Sequence, residues 1–183
     1  MASIRCLVLP LLLGLFPAAP SAPVEEPAHP TVARATAGAP PAGTWAWPVV
    51  GPVIRGFDPP EDPYGTGHRG IDIAASVGTP VLAPEAGTVS FAGAIGGQLF
   101  ITLDHGGGLQ STYSWISQTL VRKGDIVMRG ARIGFTGQGH PGSVVPHLHF
   151  GVKLDGAYVD PLEYLEPPSV ASFIHLAPDL AVP

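Results

Sequence analysis

The chain has 183 residues and a formal net charge of −5 at neutral pH, and its 24 glycines and 22 prolines predict many turns. Lysine occurs only at Lys123 and Lys153. Clustered basic residues are what a nucleic-acid interface requires, so we expect no nucleic-acid partner. The single cysteine, Cys6, lies in the N-terminal apolar run, which excludes a disulfide framework.

The N-terminus is typical of an export signal. Arg5 precedes an apolar stretch at 6–16, and small residues follow at 17–22, so the pattern predicts a signal peptide over 1–21 and a secreted protein, either extracellular or associated with the cell wall. Pro10 interrupts the apolar stretch, and no later segment reaches the roughly 20 apolar residues that a span needs. We therefore expect no membrane span in the mature protein.

Residues 22–44 are rich in proline and alanine and predict a linker. From Trp45 onward, short β-branched runs alternate with glycine-rich turns, which predicts one all-β domain of antiparallel sheet over 45–166. The candidate strands are 79–83, 87–91, 99–103, 109–113, 121–127, 129–134 and 147–152. Residues 104–108 predict a hairpin loop. A short helical turn at 160–165 would close the domain before a C-terminal tail, 167–183.

Two histidine clusters lie about eighty residues apart. The first contains His68 and Asp72, and the second contains His147 and His149. The neighbours of the second cluster favour a strand, in which side chains two residues apart share a face. Catalytic zinc takes three nitrogen or carboxylate ligands and keeps one position for water, so His68, Asp72 and His149 form a plausible ligand set.

Residues 45–166 resemble the lysostaphin-type (LytM-domain) zinc metallopeptidases, bacterial enzymes that cut peptide cross-links in peptidoglycan. The resemblance rests on Trp47-Pro48, 67–72, 78–83, 87–89, 104–108, Gly124-Asp125, 133–137 and 147–150. It implies a compact β-domain with an open groove and a bound Zn²⁺. It also implies that His68, Asp72 and His149 are the ligands and that His147 is catalytic. The expected partner is cell-wall peptidoglycan, and we expect a monomer.

One position departs from the family pattern. The family has Tyr-x-His after the glycine-rich hairpin, and that histidine is its second catalytic residue, whereas this chain has Tyr113-Ser114-Trp115. An indole donates one hydrogen bond and accepts none, so Trp115 cannot act as a base. The departure predicts reduced activity.

Five further residues have alternative interpretations. Tyr113 and Trp115, two residues apart, are either core aromatics or a platform for substrate, and Tyr64 is a groove wall or a packing residue. We count all three as candidate substrate-binding residues. His105 is expected to position the hairpin. His140 is expected to be a solvated loop histidine. The alternative is that it lines the groove or partly replaces the missing histidine.

Three functions of different classes follow. The first is a secreted zinc metalloendopeptidase that hydrolyses peptide cross-links of peptidoglycan. The second is a weak or degenerate LytM-type domain that binds cell wall or regulates another hydrolase. The third is a carrier module, because 78–89 and 121–134 resemble halves of biotinyl and lipoyl domains, but Lys123 does not have the flanking residues of a modification site.

Overall fold

The computed structural model describes residues 42–62 and 65–167. The strands in this part of the chain are β1 (Val53–Arg55), β2 (Ile71–Ala74), β3 (Pro80–Leu82), β4 (Gly87–Ile95), β5 (Gln98–Gly106), β6 (Leu109–Thr119), β7 (Ile126–Val127), β8 (Arg132–Thr136), β9 (His147–Leu154) and β10 (Ala157–Val159). The only helical element among the described residues is a 3₁₀ helix, Pro161–Glu163. Its N-cap is Asp160, whose carboxylate accepts the Leu162 N–H at 3.0 Å.

All strands pair antiparallel in one sheet with the order β1-β2-β9-β6-β5-β4-β7. β10 pairs antiparallel with β9, while β8 pairs with both β3 and β6. The predicted all-β class is thereby confirmed. The core consists of the inward-facing residues of the central strands, which include Ile71, Ile73, Ile101, Leu103, Leu109, Tyr113, Leu148, Phe150 and Val152.

The register of β2 against β9 brings the two histidine clusters together. Asp72 lies opposite His149, and Ala74 lies opposite His147. Because alternate side chains share a face, all four of these side chains lie on the same side of the two strands. Gly70, just before β2, permits the close approach, since a Cβ there would lie 2.4 Å from the Phe150 carbonyl oxygen.

A β-bulge interrupts β6 at Trp115. Leu99 pairs with Ile116 and Phe100 pairs with Ser114, so Trp115 is the unpaired extra residue. Its φ of 62° is in the left-handed region, which a bulky residue rarely adopts. The bulge ends the alternation of β6, so Tyr113 and Trp115 do not share a face.

Two predicted strands are shorter than expected. The stretch 121–127 is a strand only at Ile126–Val127, because Gly124 has a φ of 96° and the Asp125 carboxylate accepts the Arg122 N–H at 2.9 Å, which makes a turn. The stretch 129–134 begins with a turn at Gly130, φ 79°, and its strand runs over Arg132–Thr136. β1, β2 and β10 were not among the candidate strands.

The first and last parts of the described chain meet. Trp45 is fully buried and forms a parallel bridge with Leu165, with the Trp45 N–H donating to the Tyr164 carbonyl at 2.9 Å. The predicted domain limits, 45 and 166, therefore lie side by side, although the limits themselves stay a prediction. The signal peptide, nearly all of the linker and nearly all of the tail lie outside the described residues. Within residues 42–62 and 65–167 no helix has the length and apolar character to cross a membrane.

Candidate metal centre

Three side chains converge on one point above β2 and β9. Asp72 Oδ1 lies 3.0 Å from His68 Nε2 and 2.9 Å from His149 Nδ1. The two imidazole nitrogens are themselves 3.0 Å apart. Asp72 and His149 are placed by the β2–β9 ladder, and His68 by an isolated bridge with Asp58. The structure therefore brings together the three residues predicted as zinc ligands.

The protonation of two of these groups suits metal binding. His68 Nδ1–H donates to the Gly56 carbonyl at 2.6 Å, so its Nε2 carries the lone pair that faces the cluster. Burial raises the pKa of Asp72, but the hydrogen bond with His149 and the electrostatic influence of the neighbouring His68, His149 and His140 together outweigh this effect. They lower the pKa from 3.8 to about 2. Asp72 is therefore a carboxylate at neutral pH.

The donor set fits zinc. Donor atoms bonded at about 2.0–2.1 Å to a tetrahedral zinc lie roughly 3.3 Å from one another, close to the 2.9–3.0 Å separations in this cluster. Two imidazole nitrogens and a carboxylate oxygen at one point are all potential electron-pair donors, and a cation satisfies all three at once.

His147 is buried beside this point, on the same face as His149. Its Nδ1–H donates to the Val145 carbonyl at 2.8 Å, which leaves Nε2 as the nitrogen with the lone pair. Nε2 lies 3.8 Å from Asp72 Oδ2 and accepts the backbone N–H of His140 at 3.2 Å. The position fits a group that acts beside the metal rather than as a ligand.

His140 lies in the cluster, in contrast to the expected solvated loop histidine, and that prediction is wrong. Its Nε2 is buried 3.3 Å from Asp72 Oδ1, and its ring lies 5.2 Å from that of His149 and 5.1 Å from that of His147. Burial lowers the pKa of His140, and although Asp72 opposes this effect, His149 and His147 add to the lowering. The position fits the alternative, a role in the groove, which sequence reasoning ranked second because the loop has no periodic pattern.

The residues predicted to bind substrate separate into three cases. Tyr113 is fully buried, with its hydroxyl 2.8 Å from Ser111 Oγ, and burial raises its pKa, so its interpretation as a substrate-binding residue is wrong. Trp115 is partly exposed and packs against the His140 ring at 5.1 Å, within reach of the site. Tyr64 lies outside the described residues.

His105 has the structural role that we expected. Its Nδ1–H donates to the Ala86 carbonyl at 2.8 Å, and its Nε2 accepts the Ser111 hydroxyl at 2.8 Å. These bonds connect β5 and β6 with Ala86, the residue that precedes β4. Burial lowers the pKa of His105, although the hydrogen bond to Ala86 acts in the opposite direction.

An open cleft adjoins the site. It is lined by Val50, Gly51, Pro52, Ala74, Ala75, Ser76, Thr79, Val145 and Pro146. Ala74, one of the lining residues, pairs with His147 in the β2–β9 ladder, so the cleft lies next to the strand position of the predicted catalytic residue.

Comparison with known proteins agrees with this architecture. Curated relatives include an uncharacterized protein of Mycobacterium tuberculosis, 39% identical over 127 residues that cover 66% of this chain and 51% of the relative. They also include the murein hydrolase activator NlpD of Salmonella typhimurium, 35% identical over 150 residues that cover 79% of this chain and 38% of the relative. The chain thus spans about half the length, or less, of these relatives.

Solved structures with the same fold include a zinc containing peptidase from Vibrio cholerae, with a TM-score of 0.55 and 27% identity over 68% of this chain and 41% of that one. The catalytic domain of lysostaphin from Staphylococcus simulans matches with a TM-score of 0.51 and 30% identity over 58% of this chain and 86% of that one. The sequence model described as Peptidase family M23 matches residues 66–161, just over half of the chain. The chain therefore belongs to peptidase family M23, the family of lysostaphin-type (LytM) domains.

Proposed function

We propose that this protein is a secreted, zinc-dependent endopeptidase that hydrolyses peptide cross-links of bacterial peptidoglycan. The observation that carries the proposal is the convergence of His68 Nε2, Asp72 Oδ1 and His149 Nδ1 within 3.0 Å of one another. Family membership, and a zinc containing peptidase among the proteins of similar structure, support the same conclusion. When bound, zinc supplies Lewis acidity and activates water for attack on an amide carbonyl.

The residues of the site have two roles, metal binding and proton transfer or oxyanion binding. His68, Asp72 and His149 hold the metal, and the Gly56 carbonyl orients the His68 ring. His147, oriented by the Val145 carbonyl, has its Nε2 directed toward the site, where it can accept a proton from the attacking water or bind the developing oxyanion.

A second function is favoured by a specific observation. Trp115 occupies the position of the family's second catalytic histidine, and both ring nitrogens of His147 already contact protein atoms. A domain of low activity that binds cell wall and regulates another hydrolase would tolerate both features. The similarity of this chain to the murein hydrolase activator NlpD supports this second function.

One experiment separates the two functions. The purified protein is incubated with peptidoglycan sacculi, with and without a chelator, and released muropeptides are identified by mass spectrometry. We expect cleavage that the chelator abolishes and that His147→Ala reduces by about 10²-fold or more while retaining zinc. Val144→Ala, at an exposed loop residue, is the control. Absence of chelator-sensitive cleavage, with binding to sacculi intact, would favour the regulatory function.

A further inference from the structure

The loop between β8 and β9 places one more histidine at the proposed metal centre. The ligand atoms of His68, Asp72, His140 and His149 all lie within 4.8 Å of one another. The Nε2 atom of His140 is buried, and its contact with Asp72 Oδ1 at 3.3 Å is not a well-formed hydrogen bond. A buried nitrogen whose hydrogen bonding is poorly satisfied is costly, and coordination to a cation would satisfy it.

The loop is held over the site by its backbone as well as by this side chain. The His140 N–H donates to His147 Nε2, and the Ser143 N–H donates to the His140 carbonyl at 3.1 Å. Gly139, with a φ of 89°, lies against the His147 ring so closely that a Cβ would be 2.3 Å from the Cε1 atom. Only glycine permits this contact, so Gly139 allows the loop to pack directly against His147, over the proposed metal site.

Trp115 supports the same arrangement from the other side. Its indole ring lies 5.1 Å from the His140 ring, and the Gly137 N–H donates to the Trp115 carbonyl at 2.8 Å, which ties the start of the loop to the bulge in β6. The imidazole of His140 is therefore held between Trp115 and His147. The indole that replaces the family's second histidine has a packing role here.

We propose that His140 is a fourth protein ligand of the zinc, so that three imidazoles and one carboxylate close the site until the 137–146 loop withdraws. This inference rests on the proposed zinc site and adds a regulatory step to it. Zinc with four protein ligands has no position for water, whereas catalytic zinc keeps one open. Withdrawal of the loop would free that position and, at the same time, the Nε2 atom of His147.

The test counts imidazole ligands by X-ray absorption at the zinc edge of the full-length protein loaded with one zinc. We expect three imidazoles in the parent and in Val144→Ala, which changes a loop side chain that is 95% exposed. We expect two in His140→Ala and in His140→Gln. Chelator competition should show zinc bound at least about tenfold more weakly by both His140 variants.

Access to the metal gives a second measurement. Acetohydroxamate, a small zinc-binding probe, should bind at least tenfold more tightly to zinc-loaded His140→Ala than to the parent. A parent with two imidazoles and with unchanged affinities would refute the role of His140 but leave the three-ligand site and the proposed function intact. A parent that binds no zinc would refute both.

Discussion

Replacing His149 tests directly whether the predicted ligands bind zinc. His149 Nδ1 lies near both other ligand atoms, so His149→Ala removes one donor and leaves a buried carboxylate and an imidazole with fewer partners. We expect His149→Ala, which leaves His68, Asp72 and the proposed ligand His140, to bind zinc far more weakly and to retain little of it, while far-ultraviolet circular dichroism stays that of a β-protein. Metal analysis measures this directly, and zinc equal to that of the parent would contradict the assignment.

Trp115 permits a gain-of-function test at one residue. Histidine tolerates a φ of 62° better than tryptophan does, and Trp115→His would place an imidazole where the family has one. Since a positioned acid or base contributes about 10²–10⁴ in rate, we expect faster cleavage of cross-linked muropeptides by Trp115→His at equal zinc content. Trp115→Phe is the control, because it reduces the side chain without adding a base. Equal rates for Trp115→His and Trp115→Phe would show that position 115 has no acid–base role.

At the scale of the elements, the hairpins could be predicted from sequence and the site loop could not. The strands around 104–108 follow from β-branched runs on either side of glycines, and the structure has a turn there with positive φ at Gly106, Gly107 and Gly108. The shared face of His147 and His149 followed from their period-two spacing, whereas the meeting of the two clusters depends on the register of β2 against β9.

The errors have physical causes. The bulge at Trp115 depends on how β6 pairs with β5 and β8, and tryptophan has no intrinsic preference for positive φ. The sequence therefore did not predict that Tyr113 and Trp115 lie on different faces of β6. The position of His140 depends on tertiary packing against His147. Strand β2 was hidden because its four residues are too few for a periodic signal.

His105, which connects β5 and β6 with the residue that precedes β4, should make the stability of the fold depend on pH. Burial lowers the pKa of His105 below its usual 6.5, so the unfolded chain binds the proton more readily than the folded one. The stabilising contribution of neutral His105 is complete above pH 6.5 and is lost as the pH falls below that value. The two hydrogen bonds to Ala86 and Ser111 fit the neutral form.

His105→Gln removes this titration. We compare the free energy of unfolding of the parent with that of His105→Gln. As the pH is lowered from 7.5 to 5.5, we expect the parent's excess to decrease by at most about 1.4 kcal/mol per pH unit. Urea unfolding of both proteins with a chelator present measures the difference, since the metal cluster then contributes equally to both. An advantage that is constant over this range would mean that His105 does not titrate on unfolding.

At the scale of the whole described domain, the junction of Trp45 with Leu165 should be a major contribution to stability. Trp45 is fully buried, and its ring packs 4.6 Å from His105 and 5.4 Å from Tyr164. We expect Trp45→Ala to lower the free energy of unfolding by about 3–5 kcal/mol, as truncation of large buried side chains does.

Trp47 offers the matched control two residues later. It is only partly buried, and its indole N–H donates to the Glu166 carbonyl at 2.9 Å in an exposed position. Trp47→Ala should therefore cost clearly less than Trp45→Ala in urea denaturation. Equal losses would mean that the buried junction does not anchor the domain and that the predicted boundary at 45 should be revised.

The pairing of Ala74 with His147 has a consequence for protein engineering. Because Ala74 shares a face with Asp72 and His147 and also lines the cleft, it is a small side chain on the wall of the cleft next to the site. Larger residues at position 74 would narrow the cleft without changing any proposed ligand. A library at this single position would thus redirect selectivity among peptide sequences while the metal chemistry stays constant.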